Sequence, residues 1–289
     1  MSTGNTTLTL QLPVCDFELS DAEFGRLREL VREHTGIALS EAKRQLVYGR
    51  LARRLRALRM DNFAEYIKLL EAGEGPELEE FVNAVTTNLT SFFREPHHFE
   101  FLASQMLPSV IRNAGATRKL RIWCCAASTG EEPYSLSMVL REAQAQLAGW
   151  DVKMLATDLD SAVLATAQAG VYGADRFNGM DPRRLSRFFE KGGGSQAGKF
   201  RAKEELKSLI TFRQLNLMRD WPIRGPFDAI FCRNVIIYFD KATQRELFER
   251  MARLQRPGDL LFLGHSESLY RVSDRYELIG RTIYRRLDN

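Results

Sequence analysis

Long apolar runs are missing from this 289-residue chain. Nothing approaches the ~20 apolar residues that a bilayer-crossing helix needs. The opening stretch MSTGNTTLTLQLPVC lacks a basic n-region and a continuous apolar h-region, so it reads as a flexible polar tail over residues 1–15 and not as a secretory signal. Cysteine is scarce: Cys15, Cys124, Cys125 and Cys232. Adjacent Cys124 and Cys125 point to opposite faces of a strand and are poor disulfide partners, and the count suits a reduced, cytoplasmic protein. Histidine is scarce as well, and its one pair, His97-His98, is a pair of sequence neighbours, which seldom chelate together. No Cys/His spacing of the zinc-binding kind occurs, so the sequence predicts no metal. Internal repeats are absent.

What is present is unevenly distributed. The net charge of +4 is mild. Between Ala42 and Arg59, however, stand Lys43, Arg44, Arg50, Arg53, Arg54, Arg56 and Arg59, with no acidic residue among them. Residues 16–88 carry helical signals. "SDAEFGRLRELVREHTGI" has Ser20 or Asp21 as an N-cap and Gly36 as a stop. The basic stretch puts Val47, Leu51, Leu55 and Leu58 on one stripe at helical spacing. "DNFAEYIKLLEAG" and "GPELEEFVNAVTTNLT" follow as a third and fourth helix, the last ending near Thr87 or Asn88.

From Leu120 onward the period changes. "LRIWCCA", "DVKMLATD", "FDAIFCRN" and "GDLLFLGH" are short apolar runs, each followed by a helical stretch or a turn. They read as strands of a mostly parallel sheet buried on both faces. With their intervening helices they predict a doubly wound α/β domain, which binds ligands at the carboxyl ends of its strands. The boundaries expected are a helical domain over 16–88, a connecting segment that touches the cofactor over 89–118 and the α/β domain over 119–289. Glycine-rich "FFEKGGGSQAGKFRAKEELKSLITFRQLNL" suggests a small antiparallel insert over 186–217.

The first strand of that sheet runs into "WCCAASTGEEPYS", residues 123–135. A dinucleotide fingerprint would carry three glycines here and bare amides for a pyrophosphate. This turn has one glycine, then Glu131 and Glu132, which repel phosphate. Asp158, just past the second strand, is where doubly wound folds place an acid on ribose hydroxyls. A ligand with a cationic amino-acid end, a ribose and no phosphate fits, and S-adenosylmethionine is such a molecule.

Five segments in order, "TTNLTSFFREPHHF" (86–99), "WCCAASTGEEPYSL" (123–136), "ATDLD" (156–160), "FDAIFCRNVIIYFD" (227–240) and "LLFLGHSESL" (260–269), resemble the CheR family of chemotaxis-receptor glutamate methyltransferases. The resemblance implies a helical N-terminal domain, a Rossmann-like S-adenosylmethionine-dependent methyltransferase domain and a small antiparallel β-subdomain. It implies cofactor contacts from Asn88, Thr90, Arg94, Glu132, Asp158, Asn216, Leu217, Arg233 and Asn234. Arg94 and Tyr238 match the positions placed by the reacting groups. Cys124 and Cys125 stand where small Ser or Ala is frequent, and packing is the role expected of them.

The resemblance also implies partners: the glutamate-rich methylation helices of chemoreceptors, met by Arg50, Arg53, Arg54, Arg56 and Arg59. Some members of the family hold a receptor C-terminal pentapeptide at the β-subdomain, and here Lys199, Arg201 and Arg213 would face its carboxylate. A monomer that neither enters the membrane nor binds nucleic acid is expected. An amino-group DNA methyltransferase would carry an Asp/Asn-Pro-Pro-aromatic loop where this chain has "RNVIIYFD". A cytosine-C5 enzyme would need a Pro-Cys nucleophile, and none is present.

Overall fold

The computed structural model describes residues 17–73, 75–113 and 117–289. The polar tail over 1–15, with Cys15, lies outside them. Four helices form the N-terminal layer: α1 (Asp21–Thr35), α2 (Arg44–Leu58), α3 (Phe63–Glu71) and α4 (Glu77–Val85). Ser20 and Glu23 close a reciprocal capping box at the start of α1, and Asn62 caps α3. Gly36 ends α1 at φ 75°, a left-handed turn that glycine takes without strain, and a Cβ there would press on the Met218 side chain.

Val47, Leu51 and Leu55 are buried on the inner face of α2 against Phe24, Leu27, Phe63, Tyr66 and Phe81. Each such buried side chain is worth roughly 1.5–3 kcal/mol of transfer free energy. Leu58 does not join them and is 38% exposed, because the chain turns away at Arg59 in a left-handed conformation. Helix α4 stops at Val85, before the expected end, because Thr86 is already extended.

A connecting segment holds α5 (His97–Phe101), a π-helical turn (Leu102–Met106) and α6 (Leu107–Asn113). Ten strands follow. Five run parallel in the main sheet: β1 (Lys119–Cys124), β2 (Asp151–Asp158), β6 (Ile210–Gln214), β7 (Ala229–Cys232) and β8 (Leu260–Leu263). Two antiparallel strands, β9 (Tyr276–Gly280) and β10 (Ile283–Arg286), complete the order β6-β2-β1-β7-β8-β10-β9. The remaining three, β3 (Val171–Gly173), β4 (Phe189–Lys191) and β5 (Lys199–Ala202), form a separate antiparallel sheet in the order β3-β5-β4.

Helices α7 (Glu131–Glu142), α8 (Ser161–Ala169), α9 (Pro182–Phe188), α10 (Glu204–Lys207) and α11 (Lys241–Ala252) alternate with the strands. Strand side chains feed cores on both faces of the sheet. Trp123 packs with Leu247 and Phe248 of α11, while Ile122 packs with Leu136 of α7 and with Leu102.

The small sheet differs in extent from the insert expected over 186–217. It begins at Val171 and ends at Ala202, and Ile210–Gln214 belongs to the main sheet as β6, paired with β2. The reason is physical: an edge strand is covered less than a central one, and in β6 only Phe212 is buried, so the continuous apolar run that marks a parallel strand is missing. Arg213 therefore sits on the main sheet, away from Lys199 and Arg201.

The chain leaves β1 toward β2 on one side and later returns to place β7 on the other. This reversal of strand order opens a crevice at the carboxyl ends of β1, β2 and β7.

Candidate cofactor cleft

A cleft of about 700 Å³ occupies that crevice. Its floor comes from the strand ends. Its far wall comes from the N-terminal layer, through the Thr35–Ser40 loop and Lys43, Leu46 and Arg50 of the basic stretch. Asn88, Thr90, Arg94, Glu132, Asp158, Asn216, Leu217, Arg233, Asn234 and Tyr238 all line this one cleft, although they come from five separate stretches of sequence.

Asp158 ends β2 and is almost fully buried. Its Oδ2 accepts the Ser128 amide at 2.8 Å and its Oδ1 the Asp160 amide at 3.0 Å. Capping of α8 falls to Asp160, which accepts from the Ala162 and Val163 amides. Asp160 also holds the hydroxyl of Thr86 and the side-chain amide of Asn88, each at 2.7 Å, and so fastens the 86–90 segment beside the strand end. Burial pushes the Asp158 carboxyl up to about 6, even though those backbone N–H donors oppose the rise.

The β1–α7 turn is tight. Ser128 has φ 48° and Gly130 φ 98°. A Cβ on Gly130 would lie 2.7 Å from the Tyr172 hydroxyl and 2.9 Å from the Ala167 Cβ, so only glycine fits. The two acids after it diverge. Glu131 is fully buried, pairs with Arg176, accepts from Thr129 and is not on the cleft. Glu132 faces the cleft, accepts from Arg233 and takes the Cys124 thiol at 3.2 Å. Cys124 thus packs as expected and also steadies Glu132. Cys125 and Cys232 are also buried; burial raises the Cys125 thiol, and at Cys232 the hydrogen bond with Cys125 lowers it but burial and nearby carboxylates raise it more.

Arg233 is the hub of the floor. It donates to Glu132 and to the Arg94 carbonyl at 2.5 Å, and it stands 3.3 Å from Glu95. Burial pushes the Glu95 carboxyl up, but His265 and Arg233 outweigh it and hold the group down at about 2. Phe93, Glu95 and Asn234 all take left-handed backbone conformations here, a cluster of strain of the kind found where function over-determines geometry. Glu267 fixes the end of β7 by accepting the amides of Gly264, Asn234 and Ile236. Gly264 is needed because a Cβ would meet the Asn234 side chain at 2.3 Å.

Arg94 donates to the Leu89 carbonyl at 2.9 Å, which folds it across the mouth. Tyr238, in a short 3-10 turn after β7, is half-buried, and its carbonyl accepts the Ala38 amide. Asn216 reaches the His34 carbonyl at 2.6 Å and joins the two layers. Its side chain is therefore occupied on both ends, since Oδ1 accepts from the Met218 amide.

The five arginines assigned to docking separate. Arg54 is bound to Glu77 and Glu80, and the buried Glu77 also accepts from the Tyr66 hydroxyl. Arg50 donates to the carbonyls of Ala84, Val85 and Thr86, which α4 leaves open at its end, while bordering the cleft. Both brace the N-terminal layer through these partners. Arg53, Arg56 and Arg59 are exposed.

Glu95, Ser128 and Glu267 were not singled out in the sequence. Their roles come from backbone turns and cross-chain hydrogen bonds, and a linear pattern carries no mark of either. His265 is largely exposed, and its Nδ1 meets Glu95 at 3.0 Å.

The residues present suit S-adenosylmethionine. Asp158 keeps an accepting lone pair on each oxygen for hydroxyl donors, since each oxygen takes only one backbone amide. Two carboxylates at the floor suit a cationic ligand, and the acids that open α7 oppose a phosphate.

Comparison with known proteins agrees. Residues 22–86 match the family model described as CheR methyltransferase, all-alpha domain, and residues 88–285 match CheR methyltransferase, SAM binding domain. Chemotaxis protein methyltransferase 2 of Pseudomonas aeruginosa is 50% identical over 272 residues, covering 93% of this chain and 94% of its own. The chemotaxis protein methyltransferase of Escherichia coli is 43% identical over 284 residues, covering 97% and 96%.

Proposed function

The chain belongs to the CheR methyltransferase family, and on that premise we propose that it methylates glutamate side chains of bacterial chemoreceptors, forming glutamyl methyl esters for chemotactic adaptation. The carrying observation is the cleft that joins the acids Asp158 and Glu132 at its floor to Arg94 and Lys43 toward its outer wall. A cation-binding floor beneath a carboxylate-attracting mouth suits a cationic methyl donor and an anionic acceptor.

S-adenosylmethionine, when bound, supplies an electrophilic methyl group on a sulfonium. The glutamate acceptor is already ionised at neutral pH, with an unperturbed pKa of about 4.3, so no general base is needed. Charge is neutralised along the reaction, and water around the carboxylate therefore opposes it. The enzyme's work is to strip that water and fix the line of attack, and orientation alone can supply roughly 7–11 kcal/mol in favourable cases. Asp158 receives hydroxyl donors, Glu132 faces the cationic end, and Asn88, Thr90, Asn216, Leu217 and Asn234 shape the walls. Arg94 and Tyr238 position the acceptor carboxylate. Arg94 is held by the Leu89 carbonyl, so it steers the nucleophile without neutralising it in a full ion pair.

Arg53, Arg56 and Arg59 would steer acidic receptor helices toward the mouth. A receptor C-terminal pentapeptide would add to an edge of the small sheet, where β3 and β4 are the outer strands. Arg201 is already paired with Glu190 there, which leaves Lys199 as the nearer basic residue. We place the enzyme in the cytoplasm as a monomer; no described helix is long and apolar enough to cross a membrane.

The test is transfer of labelled methyl from S-adenosylmethionine to a receptor cytoplasmic fragment. Label released as methanol by mild base marks an ester and supports the reading. Base-stable label, or none on any receptor fragment, overturns it.

A further inference from the structure

On the side of Arg233 away from Glu132 lies a cluster that the methyl-transfer reading leaves unused. Glu95, His97 and His98 each offer one ligand atom, and those atoms lie within 4.8 Å of one another. His98 is wholly buried, yet its Nδ1 has no hydrogen-bond partner, and neither has Glu95 Oε2 opposite it. The two atoms are 3.7 Å apart.

The proton positions follow from the neighbours. His98 Nε2 and His97 Nε2 each meet the carbonyl oxygen of Arg281 at 3.2 Å. A carbonyl only accepts, and the Thr282 hydroxyl that also meets His98 Nε2 at 3.1 Å spends its own proton on the Arg281 carbonyl, so both rings carry their proton on Nε2 and leave Nδ1 bare. Nδ1 of His98 and Oε2 of Glu95 then face each other across a gap too wide for a hydrogen bond, with the Arg233 guanidinium 3.3 Å from that oxygen.

A divalent cation resolves this. Zinc bonds to imidazole nitrogen and carboxylate oxygen at about 2.0–2.2 Å, which separates two tetrahedral ligands by about 3.4 Å, close to the gap observed. The surroundings also match those of a metal ligand shell. Metal-bound histidines hand their other nitrogen to a carbonyl or carboxylate, and bound carboxylates are themselves hydrogen-bonded. Arg281 serves both rings, and His265 holds Glu95 Oε1 at 3.0 Å, leaving Oε2 to point inward. The guanidinium of Arg233 stands 3.3 Å from that oxygen, but Glu95 and Glu132 together outnumber it, so the buried group carries a net negative charge before any ion arrives. Adjacency in sequence, the argument against this histidine pair, loses its force once the left-handed turn at Glu95 and the start of α5 set both rings over one carbonyl.

We propose that Glu95, His97 and His98 form a binding site for a divalent transition metal of the zinc class, with one coordination position left for water. The test uses the full-length, untagged protein, stripped with a chelator and titrated with zinc alone in a calorimeter, with cobalt(II) as the optical probe. The expected result is one ion per chain and a visible cobalt spectrum, both independent of S-adenosylmethionine. His97→Ala, on a half-exposed ring, should weaken binding by roughly tenfold or more. Glu95→Gln should do the same, and His34→Ala, far along the chain on α1, should change nothing. No stoichiometric binding by the wild-type protein overturns the proposal. So does zinc affinity that is unchanged in both His97→Ala and Glu95→Gln, whatever the transferase assay gives.

Discussion

The cleft floor and helix α2 both concentrate charge, and they handle it differently. At the floor, Asp158, Glu132 and Arg233 are buried, and each is held by named donors or acceptors at a strand end. Along α2 the charges divide by face: Arg54 turns inward onto buried Glu77, while its neighbour Arg53 turns to solvent. The two arginines cannot be told apart by composition. Environment decides whether a charge serves the fold, the cofactor or a partner, and the three uses give three different signatures when a residue is changed.

The largest effect should fall on stability. Arg54→Ala leaves Glu77 buried with little beyond the Tyr66 hydroxyl, and breaking a buried pair in this way costs roughly 3 kcal/mol. Denaturant titration should show it, with cofactor affinity per folded molecule unchanged. A stability loss no greater than that of Arg53→Ala would erase the distinction between the two faces.

Tyr238→Phe comes next. Loss of one positioning hydroxyl should lower turnover by about tenfold, equivalent to about 1.4 kcal/mol, with little change in the S-adenosylmethionine dissociation constant. If affinity falls and saturated turnover does not, Tyr238 belongs to the cofactor wall.

The floor should also respond to acid. Asp158 titrates near 6 because it is buried, and only its ionised form accepts on all its lone pairs. Cofactor affinity should therefore fall as pH drops through 6, by about fourfold between pH 7 and pH 5.5. The sign for stability is opposite. The folded state binds this proton more tightly than the unfolded chain, so the group's contribution to stability declines as pH rises from about 4 to 6. Affinity that is flat over this range would detach Asp158 from the ligand.

Charge reversal at Arg53 and Arg59 should give the smallest effects on the protein itself, within about 0.5 kcal/mol of stability. Receptor methylation should slow severalfold, and the wild-type rate should fall with salt, since exposed charges are screened beyond about 8–10 Å. Rates indifferent to salt and to both reversals would return this face to simple solvation.

The sequence made the strand ends legible because a parallel strand buried on both faces must be a continuous apolar run, and Asp158 and Glu132 follow such runs directly. Caps at Ser20 and Gly36 were legible for the same local reason. β6 was not, because an edge strand loses the continuous pattern. The inward turn of Arg50 and Arg54 was not, because it depends on where α4 ends and on Glu77, which lies 23 residues beyond Arg54. The grouping of Glu95 with His97, His98 and His265 depends on a left-handed backbone turn and a loop some 170 residues away.

The most direct measurement is a calorimetric titration of S-adenosylmethionine into the wild-type protein and Asp158→Ala, with circular dichroism to establish folding. We predict one site per chain in the wild type. In the variant, affinity should be weaker by roughly 1.5–3 kcal/mol, the worth of a lost hydrogen bond to a charged group. A folded Asp158→Ala that binds the cofactor as tightly as the wild type would contradict the account.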